Sequence, residues 1–199
     1  DAVLISQPLS DPEFDLHVGK HYTPVAFMME FPSVLVVHPS LGIRNLKGLI
    51  AYAKANPGRL NIAGVAGGSG YFLAERFRQT TGIEATLVPY KGSPQALIDL
   101  VGGRVQMQFA PASAKQFVDA GKLVGIVTTG SQRWSPFSEL PTLTEEGVPI
   151  TTTFWYGIIA PIGTSAEVIT KLNRTLNSAL SLPDIRKKRP GVKYGNLRR

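Results

Sequence analysis

"LNIAGVAGGSGYFLAERF", residues 60–77, sets an apolar run, a glycine-rich turn and an amphipathic stretch end to end. Residues 60–63 read as a short strand. From Tyr71 onward the spacing of Leu73, Ala74 and Phe77 predicts a helix with one apolar face. Strand, tight turn and helix in that order make a β-α unit. Glycine lets a backbone approach a ligand closely or take a positive φ, and a helix N-terminus offers unpaired N–H groups and partial positive charge. The turn therefore suits an anion held on Gly67, Gly68, Ser69 and Gly70. It equally suits a bare connection that binds nothing. The standard glycine-rich signatures do not fit. No Lys follows the glycines as a phosphate loop requires, and Ala66 stands where a dinucleotide fingerprint needs its second glycine. Tyr71 occupies the last glycine position of a nucleophile elbow.

Working outward, the same alternation of strand and helix repeats. "TPVAFMME" and "SVLVVHP" read as strands, the second buried on both faces. "NLKGLIAYAKANPG" reads as a helix capped by Asn45, with Leu46, Leu49, Ile50 and Ala53 inward and Pro57-Gly58 ending it. "EATLVPY" is a strand, and "SPQALIDLV" a helix with Ser93 as cap and Pro94 at its first position. "VQMQF" alternates as a strand, "SAKQFVDAG" is a short helix and "LVGIVTT" a buried strand. Residues 35–128 are thus expected to form a complete α/β lobe, a parallel sheet flanked by helices. Its ligand edge lies beyond the C-terminal strand ends. Leu35, Val36, Val37, Leu87, Val88, Met107, Phe109, Ile126 and Val127 are the expected sheet core.

At "GSQRWSPFSELPTLTEEGVPI" the periodicity stops, and the stretch reads as a loop between domains. Beyond it "FWYGIIAP" is a strand. "TSAEVITKLNRTLNSAL" is a helix with a Thr164–Glu167 capping box and an apolar face of Val168, Leu172, Leu176 and Ala179. Residues 1–34 and 129–199 are assigned together to a second, discontinuous domain, with a further strand expected near residues 3–6.

The chain has 199 residues, 43% hydrophobic, with no cysteine, so disulfides and thiol catalysis are excluded. No apolar run approaches the roughly 18 residues of a spanning helix. His17, His21 and His38 are scattered singly and give no metal-ligand spacing. The formal charge is +7, but residues 186–199 hold seven of the 21 Lys and Arg and no acid, leaving 14 against 14. A neutral body with a basic tail does not make a nucleic-acid-binding domain. No His stands near Ser69 in sequence, which argues against an enzyme.

Several words taken in order carry a resemblance: "YTPVAFMMEFPSVLVVHPSLGIRNLKGLIAYAKANPGRLNIAGVAGGSGYFLAERF", "VPYKGSPQALIDLVGGRVQMQF", "AGKLVGIVTTGSQRWSPFSELPTLTEEGVP", "WYGIIAPIGTSAEVITKLN" and "ALSLPDIRKK". Their order and spacing resemble the Bug family, the periplasmic solute-binding receptors of tripartite tricarboxylate transporters. The resemblance implies a type II periplasmic binding protein-like fold. Residues 35–128 then form the complete second lobe, and the flanking segments an incomplete first lobe. It implies a non-catalytic, periplasmic receptor without cofactor or metal. Such a receptor binds a small carboxylate or amino acid and passes it to membrane permease subunits.

Onto this sequence the resemblance carries ligand contacts at Ala66, Gly67, Gly68, Ser69 and Gly70. Tyr90, Lys91, Gly92 and Ala110 line the same edge, and Ser6 and Gln7 come from the first lobe. Lys91 is either an ionic partner or a solvated loop charge. Trp155 and Tyr156 either wall a cleft or belong to a core. Three departures stand out. Family members begin well upstream, with a strand and a Pro/Gly-rich loop. Pro190-Gly191 interrupts where they continue a helix. Ala110-Pro111 replaces a polar residue, and the glycine-rich loop keeps only Ser69 of its side-chain donors. A truncated module that binds no solute and self-associates, as a homo-oligomer, is the alternative reading.

Overall fold

The computed structural model describes residues 19–187 and 191–194. The strand expected near residues 3–6, and with it Ser6 and Gln7, lies outside the described residues, as does His17. Two compact units divide the chain. One runs from Pro32 to Thr153; the other joins the segment up to Phe31 with the segment from Phe154 onward.

The first unit carries a five-stranded sheet. Its strands are β2 (Val34–Val37), β3 (Leu60–Val65), β4 (Ala85–Tyr90), β5 (Met107–Ala110) and β6 (Val124–Thr128), in the order β4-β3-β5-β2-β6. β3 runs parallel to both β4 and β5, as β-α units require. β2 is the exception, lying antiparallel between β5 and β6, with Val34 opposite both Ala110 and Thr128. The α/β class and helix-flanked sheet expected from the sequence are present. The direction of β2 is not the one expected, and the sheet is mixed.

The helices are set by local chemistry. Helix α1 (Leu46–Ala55) begins where the Asn45 carboxamide accepts the Gly48 N–H at 2.7 Å. Such a cap stabilises a helix by about 1 kcal/mol. Helix α2 (Ser69–Thr81) follows the glycine-rich turn and stops at Gly82, whose φ of 67° closes it in the left-handed region. Helix α3 (Ser93–Val101) has Gly92 rather than Ser93 as its N-cap, which moves the predicted start by one residue. A short helix α4 (Lys115–Asp119) precedes β6.

One face of the sheet packs α1 and α2. Leu35, Val37, Leu60, Ile62, Met107 and Phe109 meet Leu46, Leu49, Leu73 and Phe77. The Phe77 and Phe109 rings pack edge to face at 5.5 Å. Leu87 and Val88, expected in the core, are only half buried, because β4 is the edge strand and covers one neighbour alone.

Residues 129–153 belong to this sheet-bearing unit rather than to the flanking one. Leu143, Val148 and Ile150 enter the main core, and Trp134 and Phe137 are buried as well. The predicted boundary at residue 128 therefore moves to Thr153. Hydrogen bonds secure the segment: Thr129 Oγ1 accepts the Ser33 N–H at 3.0 Å and donates to the Thr152 carbonyl at 2.9 Å.

In the other unit β1 (Tyr22–Phe31) pairs antiparallel with β7 (Phe154–Pro161). Helix α5 (Ala166–Ser181) covers one face of the pair, and the short α6 (Pro183–Lys187) follows it. The N-cap of α5 is Ser165, whose hydroxyl accepts the Val168 N–H, whereas Thr164 donates to the Pro161 carbonyl. The predicted Thr164–Glu167 capping box is therefore not formed: the cap moves to Ser165 and its N3 residue is Val168, which cannot bond back. Its buried side is Ile169 and Leu180, with Leu176 against the strands, while Val168 and Leu172 stand exposed.

Candidate functional site

The C-terminal ends of β3, β4 and β5 lie side by side, because these strands are neighbours running in one direction. This edge gathers the loop of residues 66–70, the Tyr90–Lys91–Gly92 turn and Ala110. The structure so brings together every described residue predicted for the site. Loops at this edge of a parallel α/β sheet are where ligands bind.

The glycine-rich loop is a tight turn. Gly68 N–H donates to the Val65 carbonyl at 2.8 Å across a turn whose third residue, Gly67, has a φ of 64°. Gly67 is therefore the position at which glycine is conformationally required. Gly68 has a φ of −87° and is required for a different reason, space: a Cβ there would lie 2.9 Å from the Val65 carbonyl oxygen. Gly64 passes under the first turn of α2, where a Cβ would meet the Tyr71 backbone at 3.2 Å.

Turn and helix leave a defined set of donors. Ala66 N–H is taken by the Tyr90 carbonyl at 3.1 Å and Gly68 N–H by Val65. Tyr71 and Phe72 N–H both return to the Gly68 carbonyl. Among the described residues the Gly67 and Gly70 N–H groups have no such acceptor. They sit at the start of a thirteen-residue helix, next to the Ser69 hydroxyl. Preorganised N–H groups at a positive helix end form an anion cradle.

Tyr90 turns away from this cradle. Its phenol donates to Asp99 Oδ2 at 2.9 Å, while Arg104 Nη1 donates to Asp99 Oδ1 at 2.7 Å. Partial burial, followed by the Asp99 bond, raises the phenol above its ordinary range, and the phenol and guanidinium together hold Asp99 below the usual carboxylate range. Tyr90 thus offers the edge its backbone and ring. Lys91 is exposed, Gly92 is half buried, and Ala110 is wholly buried at the end of β5.

Two polar residues that the sequence placed only in secondary structure also stand here. Gln108 on β5 is 2% exposed, and its Nε2 donates to Ser93 Oγ at 3.1 Å at the start of α3. Trp155 and Tyr156 belong to β7 in the other unit. Trp155 stacks on Phe27, and Tyr156, largely exposed, stacks on Phe31. Among the described residues no group of His, Asp and Glu is arranged to hold a metal ion. His38 instead accepts the Ser40 N–H. No helix of the described residues is long and apolar enough to cross a membrane.

Comparison with known proteins gives concordant results. The model of the tripartite tricarboxylate transporter family receptor, TctC, matches residues 3–191. Protein BugT of Bordetella pertussis is 34% identical over 172 residues, covering 85% of this chain and 53% of its own length. Among solved structures, Rpa4515 of R. palustris with adipate superposes with a TM-score of 0.85 at 35% identity, over 89% of this chain and 62% of that one. MatC from Rhodopseudomonas palustris with bound malate gives 0.83 at 27% identity, over 92% and 63%. The chain spans about half the length of the curated relatives it matches. The family and fold are those of substrate-binding proteins, not enzymes, and its members are periplasmic. With the match extending over nearly the whole sequence and through both units, the chain belongs to the TctC, or Bug, family of tripartite tricarboxylate transporter receptors.

Proposed function

We propose that this chain is a periplasmic solute receptor that takes a small carboxylate or amino acid and delivers it to the permease subunits of a tripartite tricarboxylate-type transporter. The observation that carries the reading is the cradle at the start of α2, with the Gly67 and Gly70 N–H groups beside the Ser69 hydroxyl at the edge shared by β3, β4 and β5. The ligand's carboxylate accepts from these donors. Lys91 and Gly92 border it, the Tyr90 and Ala110 backbones frame it, and Gly68 shapes the turn. Ser6 and Gln7, expected to contact the ligand as well, lie outside the described residues. The adipate and malate held by related structures support a small carboxylate.

Titration calorimetry of the chain against adipate, malate, succinate, aspartate and glutamate tests the reading. Binding of at least one, weakened roughly tenfold or more by Ser69→Ala through loss of a donor to a charged acceptor, is expected. Silence across the panel overturns it. A second reading, a self-associating module that binds no solute, draws on the exposure of Val168 and Leu172 on α5 and of Tyr156 on β7. Sedimentation beside the calorimetry separates the two: this second reading requires assembly together with an empty panel.

A further inference from the structure

The end of β4 carries more than its own strand. β4 is an edge strand with β3 as its one neighbour, so its last residue, Tyr90, has a strand on one side alone. In the ladder Tyr90 stands opposite Val65. That pair is the footing of the glycine-rich loop. The Tyr90 carbonyl takes the Ala66 N–H at 3.1 Å, and the Val65 carbonyl takes the Gly68 N–H at 2.8 Å. A shift of Tyr90 therefore shifts the turn that presents Gly67 and Gly70. In the other direction along the chain Tyr90 leads straight into Lys91 and Gly92.

Strand ends at the edge of a sheet open at little cost, and here a side chain opposes it. The Tyr90 phenol reaches across the Lys91–Gly92 turn to α3 and donates to Asp99 Oδ2 at 2.9 Å. Asp99 is held in turn by Arg104 Nη1 at 2.7 Å. The Arg104 side chain is 71% exposed, so solvent screens that pair and leaves it a minor contribution. The phenol–carboxylate bond, charge-assisted and partly shielded, is the strong member. Neither Tyr90 nor Asp99 is part of the core that joins α1 and α2 to the sheet. The bond ties down the ligand edge rather than the body of the unit.

We infer that Asp99 is a positioning residue of the solute site: through the Tyr90 phenol it fixes the end of β4, and so sets where the glycine-rich loop and the Lys91–Gly92 turn present their groups to a ligand. The inference rests on the receptor reading proposed above and is independent of which acid the receptor takes. Asp99 acts through Tyr90 and makes no ligand contact of its own.

The test uses the full chain. Tyr90→Phe removes the hydroxyl and keeps ring and backbone, Asp99→Ala removes the acceptor, and Asp99→Asn restores a neutral one. Each is titrated with adipate, malate, succinate, aspartate and glutamate, beside thermal melts and amide exchange followed by NMR. Tyr90→Phe and Asp99→Ala are expected to weaken the best-bound acid by the same factor, about three- to tenfold. The double variant should lose no more than either single one, since both remove one bond, and Asp99→Asn should recover part of the loss. All should melt within about 4 °C of the parent. The Ala66 N–H should exchange faster in the first two variants, while Ile62 and Ala63 in mid-β3 keep their parental rates. A bond that is structural alone lowers Tm and leaves the affinity of the folded protein unchanged, and that result overturns the positioning role. Weakened binding with unchanged Ala66 exchange also overturns it, because the phenol would then contact the ligand directly. Both results leave the receptor reading standing. A parent chain that binds none of the five acids overturns that reading and the inference with it.

Discussion

Replacing Gly68 by alanine adds a single methyl group, and the structure says where it goes. Backbone conformation is no obstacle, since φ −87° and ψ 156° suit any residue. The obstacle is that the new Cβ lands 2.9 Å from the Val65 carbonyl oxygen and 3.2 Å from Val65 Cβ. That oxygen also accepts the Gly68 N–H at 2.8 Å. Relieving the contact means opening the turn and losing the bond that closes it. The bond is worth about 1 kcal/mol, and crowding a packed interior by one carbon costs about 1–3 kcal/mol. The total is about 2–4 kcal/mol. For a chain of this size each kcal/mol lowers Tm by about 2–4 °C, so a fall of about 5–15 °C is expected in scanning calorimetry. Gly67→Ala is the control. It forces alanine to the φ of 64°, for about 1–2 kcal/mol. The two variants separate again in binding. Opening the turn moves the Gly67 and Gly70 donors apart, so Gly68→Ala loses more affinity than its folded fraction explains. A Gly68→Ala protein melting within about 1 °C of the parent would refute the reasoning, because the turn would not then be built around the missing side chain.

Two further expectations concern the same unit. Thr129→Val removes the hydroxyl joining Ser33 N–H to the Thr152 carbonyl. It strands a donor and an acceptor, so a loss of about 2–4 kcal/mol is expected, read as a lower urea midpoint at constant m-value; an unchanged midpoint would sink it. Asp99, depressed by its bonds from Tyr90 and Arg104, contributes stability above the ordinary carboxylate range that is lost as pH falls through its lowered value. Tyr90, raised by burial and then by Asp99, contributes below the ordinary phenol range, and its share is lost as pH rises through the raised value. Asp99→Asn should flatten the acid limb of the stability profile and shift the Tyr90 titration downward, short of its ordinary value because burial remains. Tyrosinate absorbance showing no downward movement would contradict this.

The sequence showed most of the architecture because its β-α units announce themselves locally. Asn45 before an apolar period and Gly82 after one mark helix ends by chemistry that acts within four residues. It did not show the direction of β2. "VLVV" reports burial on both faces, which the structure bears out at all four positions. Burial from both faces is the signature of an inner strand, and it is the same whichever way the strand runs. Residues 130–150 read as a link between domains because they lack a period. They pack through single buried residues, Trp134, Phe137, Leu143, Val148 and Ile150, separated by turns. Burial one residue at a time leaves no repeat to detect.

The remaining misreadings share one cause, and it bears on the site. On α5 the expected apolar face of Val168, Leu172, Leu176 and Ala179 is not the buried one, which carries Ile169, Asn173 and Leu180. The structure buries the stripe with the asparagine, because Asn173 Nδ2 donates to the Val25 carbonyl of β1 at 2.6 Å. In "VQMQF" the alternation likewise casts Gln108 as an outward residue, yet it is more deeply buried than Phe109 beside it. Binary patterning counts a polar side chain as solvent-facing, which holds unless the fold supplies a partner. At Asn173 a strand carbonyl is that partner and the role is structural. At Gln108 the partner is one serine hydroxyl at a helix start, and half of the amide stays unsatisfied. A fold that only needed to fill that space would gain stability from methionine there. Gln108 therefore keeps its place in the sheet through that single bond to Ser93, which the alternation of the strand does not foretell.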